Sequence, residues 1–246
     1  MTTELRHYAI VTSGYWAFTV TDGAIRMLVV LYFHLLGYSP LEVAMLFLFY
    51  EFFGIVTNLV GGWLGARIGL NKTMHIGMGL QVVALLMLTI SEVWLSVPYV
   101  MAAQALSGIA KDLNKMSAKA SVKLLANSGD GSRLFKMVSA LTGSKNALKG
   151  MGYFLGGALL ATVGFQGSIA ALLSLLLVAF VMGIWLLEYQ PGSNKGSFSQ
   201  SLSPSTGVNR LSAARLFLFC ARDVWFVVAL PVFLQSQLGW SPVQVG

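Results

Sequence analysis

The sequence predicts an all-α polytopic membrane protein, on the basis of its composition and the length of its apolar runs. Of its 246 residues, 56% are hydrophobic and only 10% are charged, whereas about 25% of the residues of a soluble domain are charged. The apolar residues form runs that can supply helices of about 20 residues, the length needed to cross a bilayer. This pattern does not fit a soluble core.

Seven membrane-spanning helices are predicted, and most of the connections between them are short. The first apolar run is too long for the apolar region of a signal peptide, so we expect it to remain in the membrane. The predicted spans cover residues 8–36, 40–64, 73–91, 97–117, 134–163, 168–188 and 210–238.

Two turns between spans carry clear sequence signals. Gly37-Tyr38-Ser39-Pro40 ends the first span and opens the second, with Ser39 as the expected N-cap and Pro40 at the first helical position. The stretch GFQGS at 164–168 is predicted to separate the fifth and sixth spans in the same way.

The distribution of basic residues predicts the orientation of the chain. The predicted outer loops, near 37–40, 92–97 and 164–168, contain no lysine or arginine. Because cytoplasmic loops are enriched in these residues, the N-terminus is predicted to be cytoplasmic. The inner side then receives Arg6, Arg67, Lys72, Lys115, Lys119, Lys123, Arg133, Lys136, Lys195 and Arg210.

A linker and a repeat suggest two bundles. Residues 191–209 are rich in Ser and Gly and are predicted to be a cytoplasmic linker between a six-helix bundle (1–190) and the start of a second bundle (210–246). LLGYSP at 35–40 recurs as QLGWSP at 237–242. Two such halves predict about 400 residues, so the chain is expected to be a C-terminally truncated piece that holds one complete bundle and the first helix of the next.

The loop after the second span resembles a loop motif of the major facilitator superfamily, in which Gly62, Arg67 and Gly69 would form a gating loop. Ala66 replaces the usual acidic residue and Leu70 replaces a usual basic residue. The fifth span also resembles the antiporter motif of that superfamily at Gly152, Gly156 and Gly157, although Tyr153 replaces a proline. Close helix packing through small residues explains these glycines at least as well.

Five longer blocks carry a closer resemblance: YWAFTVTDGAIRML (15–28), FLFYEFFGIVTNLVGGWLGARIGLN (47–71), AAQALSGIAKDLNKMSAKA (102–120), LTGSKNALKG (141–150) and LSAARLFLFCARDVWFVVALPVFL (211–234). These blocks resemble the organoarsenical-efflux permeases of arsenic-resistance operons. The resemblance implies proton-coupled export of arseno-phosphoglycerate across the bacterial inner membrane, conferring arsenate resistance, with a glyceraldehyde-phosphate dehydrogenase as the functional partner that makes the substrate.

Charged residues within the predicted spans are the main candidates for a functional site, because an unpaired charge at the centre of a span costs about 3 kcal/mol. Lys145 and Lys149 lie four residues apart on one helical face, about 16 and 22 Å into the fifth span, where they repel each other unless an anion lies between them. The predicted substrate-binding residues are Arg26, Lys111, Lys145, Lys149 and Arg222.

Carboxylates in the same spans have two alternative interpretations. Glu51, without a basic neighbour on its own helix, and then Asp22 are predicted to couple transport to protons, whereas Asp112 and Asp223 are predicted to be charge partners. The alternative is mutual neutralisation: Asp22 with Arg26, Asp112 with Lys111 or Lys115, and Asp223 with Arg222.

A lysine stripe and an aromatic run each have two possible explanations. Lys111, Lys115, Lys119 and Lys123 form a stripe at four-residue steps, which suits either a helix end at anionic lipid or a funnel for anions. The aromatic run FLFYEFF (47–53) is predicted to be packing or lipid-facing surface.

The sequence contains no motif of an enzyme, an ATPase or a metal site, so no catalytic residue and no cofactor are expected. A single cysteine, Cys220, cannot form a thiolate cluster, and the three histidines show no ligand spacing. The expected partners are a small anionic substrate and membrane lipid, with no nucleic acid, and the protein is expected to be monomeric. A carrier of another organic or sugar-phosphate anion, or a membrane scaffold or sensor that does not transport, are the alternatives.

Overall fold

The computed structural model describes residues 3–125, 131–187, 192 and 205–246, and every regular element in these ranges is helical. A short 3-10 helix, Glu92–Trp94, precedes α5, and a π-helical stretch, Val224–Ala229, connects α7 to α8. The α-helices in chain order are α1 (Thr3–Leu35), α2 (Pro40–Leu46), α3 (Leu48–Ile68), α4 (Leu70–Met87), α5 (Val97–Leu125), α6 (Gly131–Leu186), α7 (Thr206–Asp223), α8 (Leu230–Leu238) and α9 (Pro242–Val245).

Within the described residues, three helical stretches are long and apolar enough to cross a membrane. Leu5–Leu35 lies in α1, Pro40–Asn58 runs through α2 and α3, and Phe135–Leu186 covers the predicted fifth and sixth spans; their mean hydropathies are 1.3, 1.6 and 2.7. The predicted third and fourth spans correspond to α4 and α5, and α5 continues to Leu125, past the predicted end at 117. The helical membrane class is therefore confirmed.

The repeated turn has the same local structure at both of its positions. Ser39 caps α2: its backbone N–H donates to the Glu42 carboxylate at 2.8 Å, and its hydroxyl accepts from the Glu42 N–H. Ser241 caps α9 in the same way, with Gln244 in the place of the glutamate. The predicted N-cap and first-turn proline are thus confirmed, and the repeat extends from sequence to structure.

Gly164 interrupts α6 at the predicted junction between the fifth and sixth spans. Its φ of 70° and ψ of −176° lie outside the helical range, and a residue without a Cβ adopts this conformation without strain. The Gln166 side chain donates to the Ile90 carbonyl at 2.7 Å and so links the start of the second segment to the end of α4.

Helix α1 lies at the centre of the described helices, and α6 lies at the periphery. In the apolar window of α1, 89% of the residues are buried, against 22% in that of α6, whose exposed side chains include Phe135, Phe154 and Trp185. These apolar side chains form a surface suited to lipid.

Glycines allow α1 and α6 to pack closely. A Cβ added at Gly152 would lie 2.5 Å from the Val20 carbonyl oxygen, and one at Gly156 would lie 2.5 Å from that of Ala24. The predicted close packing through these glycines is confirmed, as expected for helices that meet through small residues. An antiporter role for the same glycines stays a prediction.

Most of the predicted linker, 191–209, lies outside the described residues, and α7 begins at Thr206, before the predicted start at 210. The side chains of Cys220, Arg222 and Asp223 also lie outside the described part of the structure. The predicted roles of Arg222 and Asp223 therefore stay predictions.

Candidate functional site

Four helices bring charged side chains together in the interior. Asp22 and Arg26 lie one turn apart on α1 and are 5% and 2% exposed. Glu51 comes from α3, Lys111 and Asp112 come from α5, and Lys145 comes from α6. Helix α1 packs against α5 and α6. Side chains of α3 reach Arg26 and Asp22, so the charged face of α1 meets side chains of other helices, away from lipid.

Glu51 bridges two cations from neighbouring helices. Its Oε1 lies 3.1 Å from Arg26 Nη2, and its Oε2 lies 3.7 Å from Lys111 Nζ. Both partners come from other helices, whereas Glu51 has no basic neighbour on its own helix, so the sequence did not reveal them. Arg26 and Lys111 are engaged with this carboxylate in the structure, and their binding of substrate stays a prediction.

Tyr50 is a central residue of the site that the sequence reasoning missed. Its hydroxyl donates to Asp22 Oδ1 at 2.7 Å. Its ring faces two cations, with Lys111 Nζ 4.0 Å and the Arg26 guanidinium carbon 4.6 Å from the ring centroid. Such cation–π contacts stabilise charges that have left water. The predicted packing role of FLFYEFF holds for Tyr50, which is 0% exposed, and the structure adds polar contacts that its position beside Glu51 could have signalled.

A glycine fixes the position of Tyr50. A Cβ added at Gly108 of α5 would overlap the Tyr50 carbonyl, so α3 and α5 are in backbone contact at this point. This approach places the Tyr50 ring next to Lys111, which follows Gly108 by nearly one helical turn.

Asp112 pairs along its own helix. Its Oδ1 lies 3.0 Å from Lys115 Nζ, and its Oδ2 lies 4.0 Å from Lys111 Nζ. This geometry agrees with the predicted pairing of Asp112 with Lys111 or Lys115. Lys111 therefore lies between two carboxylates, at longer distances than either tight pair, Arg26–Glu51 or Lys115–Asp112.

Lys145 has different surroundings from the other cations. Its charged neighbours are Lys115, Lys119 and Lys111 of α5 and Asp22 of α1, and it is half-buried. Among the described side chains, no carboxylate lies within 4.0 Å of its ammonium group, whereas each of the carboxylates of the site has a closer partner. Lys149 lies with its Nζ 5.6 Å from the centroid of the Tyr153 ring.

Part of the lysine stripe of α5 lies in the interior between the helices. Lys115 and Lys119 are half-buried and are neighbours of Lys145, whereas Lys123 is exposed. Burial, and then the ammonium groups of Lys115 and Lys123, lower the pKa of Lys119. These positions favour the funnel over a purely lipid-facing role for Lys115 and Lys119.

The predicted gating loop lies at the junction of α3 and α4. Gly69 makes this junction with a φ of 97°, and its N–H bonds to the Gly65 carbonyl. Arg67 has its guanidinium carbon 5.2 Å from the centroid of the Trp63 ring, and Gly62 is exposed. The geometry explains the need for Gly69, and a gating function stays a prediction.

Solved structures with a similar fold are peptide transporters. A proton dependent oligopeptide transporter aligns with a TM-score of 0.65 at 18% identity, covering 95% of this chain and 51% of its own. A bacterial homologue of the human drug peptide transporters aligns with a TM-score of 0.63 at 16% identity, covering 92% and 51%. The chain thus spans about half the length of these structures, and at this identity the likeness shows the fold alone.

A comparison of the sequence with known protein families identifies the family of the chain. No curated protein sequence matches the chain significantly. Residues 11–246, however, match the Major Facilitator Superfamily, in agreement with the described helices and the likeness to solved transporters. The chain belongs to the Major Facilitator Superfamily.

Proposed function

We propose that the protein is a secondary active transporter of the bacterial inner membrane that exports a phosphate-bearing organoarsenical anion, arseno-phosphoglycerate. In this proposal its N-terminus is cytoplasmic and export is coupled to protons. Lys145 carries the proposal, because it is a half-buried ammonium group inside an apolar helix and no described carboxylate lies within 4.0 Å of it. Such a charge is costly in a membrane unless an anion binds there.

The charge of the site supports an anionic substrate. The described cluster contains five cations and three carboxylates, an excess of two positive charges (5 − 3): Arg26, Lys111, Lys115, Lys119 and Lys145, with Asp22, Glu51 and Asp112. A phosphate monoester carries about −1.5 to −2 at pH 7. An arsenate ester of phosphoglycerate is an oxyanion of the same kind, so it would compensate this excess.

The chemistry of arsenic separates this substrate from arsenite. A carrier that held trivalent arsenic through sulfur would need several thiols, and the sequence has one cysteine. A pentavalent ester needs only cations and hydrogen-bond donors, which the site has. The arsenical itself, and the glyceraldehyde-phosphate dehydrogenase that would make it, are proposed from the resemblance to organoarsenical-efflux permeases.

The proposal is tested in cells that lack their own arsenate defence. Expression of the full-length protein together with the dehydrogenase should raise arsenate tolerance, whereas either protein alone should not, and arsenite tolerance should stay the same. Protection against arsenite, or protection without the dehydrogenase, would contradict the arseno-phosphoglycerate substrate. No protection, combined with binding of 3-phosphoglycerate to the purified protein, would favour a carrier of other organic phosphates. No binding of either anion would favour a scaffold or sensor.

A further inference from the structure

Asp22 has two neighbours that can interact with its carboxylate, Tyr50 and Lys145. The Tyr50 hydroxyl donates to Asp22 Oδ1 at 2.7 Å, and the same carboxylate is an electrostatic neighbour of Lys145. Of the described carboxylates, Asp22 alone is among the charged neighbours of Lys145, yet none of them lies within 4.0 Å of this ammonium group. The hydrogen bond to Tyr50 therefore fixes which partner Asp22 takes.

We infer, on the basis of the proposed function, that Tyr50 is a positioning residue whose hydroxyl holds Asp22 away from Lys145 and so keeps this ammonium group available for the phosphate of the substrate. Without the hydroxyl, Asp22 would turn to the nearest available cation. The Asp22 carboxylate would then form an ion pair with the Lys145 ammonium group and compete with the substrate phosphate for it.

The environment of Tyr50 suits this role. The side chain is 0% exposed, and its ring faces Arg26 and Lys111 at 4.6 and 4.0 Å. The contact with Gly108 fixes the Tyr50 backbone against α5. Because the ring is held on several sides, its hydroxyl presents a fixed donor to Asp22.

Other charged groups around Asp22 are already engaged. On α1, Arg26 pairs with Glu51 of α3, and on α5, Asp112 pairs with Lys115. Tyr15 of α1 is also an electrostatic neighbour of Asp22, with a hydroxyl of its own. Lys145 of α6 is thus the cation that a released Asp22 carboxylate would meet without first displacing a carboxylate of the described site.

The experiment measures the affinity of the purified protein for 3-phosphoglycerate in detergent, by isothermal titration calorimetry. Tyr50→Phe should weaken binding by about ten-fold or more, since an intramolecular carboxylate then competes for Lys145. Asp22→Asn should bind the anion as tightly as the unmodified protein or more tightly, because it removes a negative charge beside Lys145. In the Asp22→Asn background, Tyr50→Phe should have no further effect.

The control is Tyr8→Phe, which removes a hydroxyl that donates to the Met137 carbonyl at 3.2 Å without releasing a carboxylate. It should leave the affinity unchanged. A loss in Tyr50→Phe that persists in the double variant would overturn the inference, as would unchanged binding in Tyr50→Phe. If Tyr50→Phe fails to fold, Asp22→Asn alone decides, and weaker binding in that variant contradicts the inference.

Lys145→Gln separates this inference from the proposed function. If Lys145→Gln binds 3-phosphoglycerate normally, the anion site itself is misplaced. If Lys145→Gln loses binding while Tyr50→Phe does not, the site stands and the positioning role of Tyr50 is refuted.

Discussion

Glu51→Gln removes the carboxylate charge that joins α1, α3 and α5, and it should destabilise the protein strongly. With an effective dielectric constant of about 20, the attraction is about 5 kcal/mol for Arg26 at 3.1 Å and about 4 kcal/mol for Lys111 at 3.7 Å. Desolvation of the three groups offsets most of this gain, so the pair itself adds little net stability. Breaking it, however, leaves the buried Arg26 guanidinium without this counter-charge, which costs about 3–5 kcal/mol.

The assay is thermal unfolding of the purified protein in detergent. At 2–4 °C per kcal/mol for a chain of this size, a loss of about 3 kcal/mol lowers Tm by roughly 6–12 °C. The matched control is Glu42→Gln, in the capping box of α2, where Gln244 already performs the same role in the repeated turn. This control should melt like the unmodified protein.

Adding Arg26→Met to Glu51→Gln should restore much of the lost stability, because the buried guanidinium that has lost the Glu51 carboxylate is then removed as well. Unfolding of Glu51→Gln at the same temperature as Glu42→Gln would refute the reasoning. It would mean that the three-way contact of Glu51, Arg26 and Lys111 does not form in the folded protein.

Two other substitutions test the packing and the lysine stripe. Gly152→Ala should lower stability by about 1–3 kcal/mol relative to Gly143→Ala, since the added methyl group meets the Val20 carbonyl in the first case and open space in the second; equal melting temperatures would contradict the close approach of α1 and α6. Lys119→Gln should raise Tm by about 1–3 °C at pH 7, because it removes two like-charge contacts at four-residue spacing. Since burial, and then the neighbouring ammonium groups, lower the pKa of Lys119 in the folded protein, its charge destabilises the fold fully below that pKa; the penalty declines as pH rises above it and is gone above the ordinary lysine pKa. The advantage of Lys119→Gln should therefore shrink at high pH, and an advantage that is independent of pH would contradict the assignment.

The positions of the helices followed from the sequence because their signals are local. The Ser-Pro pair at residues 39 and 40 marks a helix start through its own hydrogen bonds and backbone angles. The glycine at residue 164 marks the break in α6 through its positive φ. The lysines at four-residue steps predicted that α5 stays helical beyond the apolar stretch that ends at 117, and the structure continues the helix to Leu125.

The site could be predicted only in part, because pairing between helices is not a local property. The sequence identified which charges would be buried, including Asp22, Arg26 and Lys145, from their positions in apolar runs. It could not show that Glu51 meets Arg26 and Lys111, since these partners come from α1 and α5. Tyr50 was missed for the same reason, since its role depends on Asp22 of another helix and on the contact with Gly108.

The affinity of Lys145→Gln for 3-phosphoglycerate tests the central claim, an interior anion site at this residue, most directly. The matched control is Lys136→Gln, an exposed lysine on the same helix. A charge-assisted hydrogen bond is worth about 1.5–3 kcal/mol, so Lys145→Gln should bind 3-phosphoglycerate about ten-fold to over a hundred-fold more weakly. The affinity of Lys136→Gln and the melting temperatures of both variants should equal those of the unmodified protein. Normal affinity in Lys145→Gln, or a loss of stability that Asp22→Asn repairs, would show that Lys145 is a structural partner of a carboxylate and that the anion binds elsewhere.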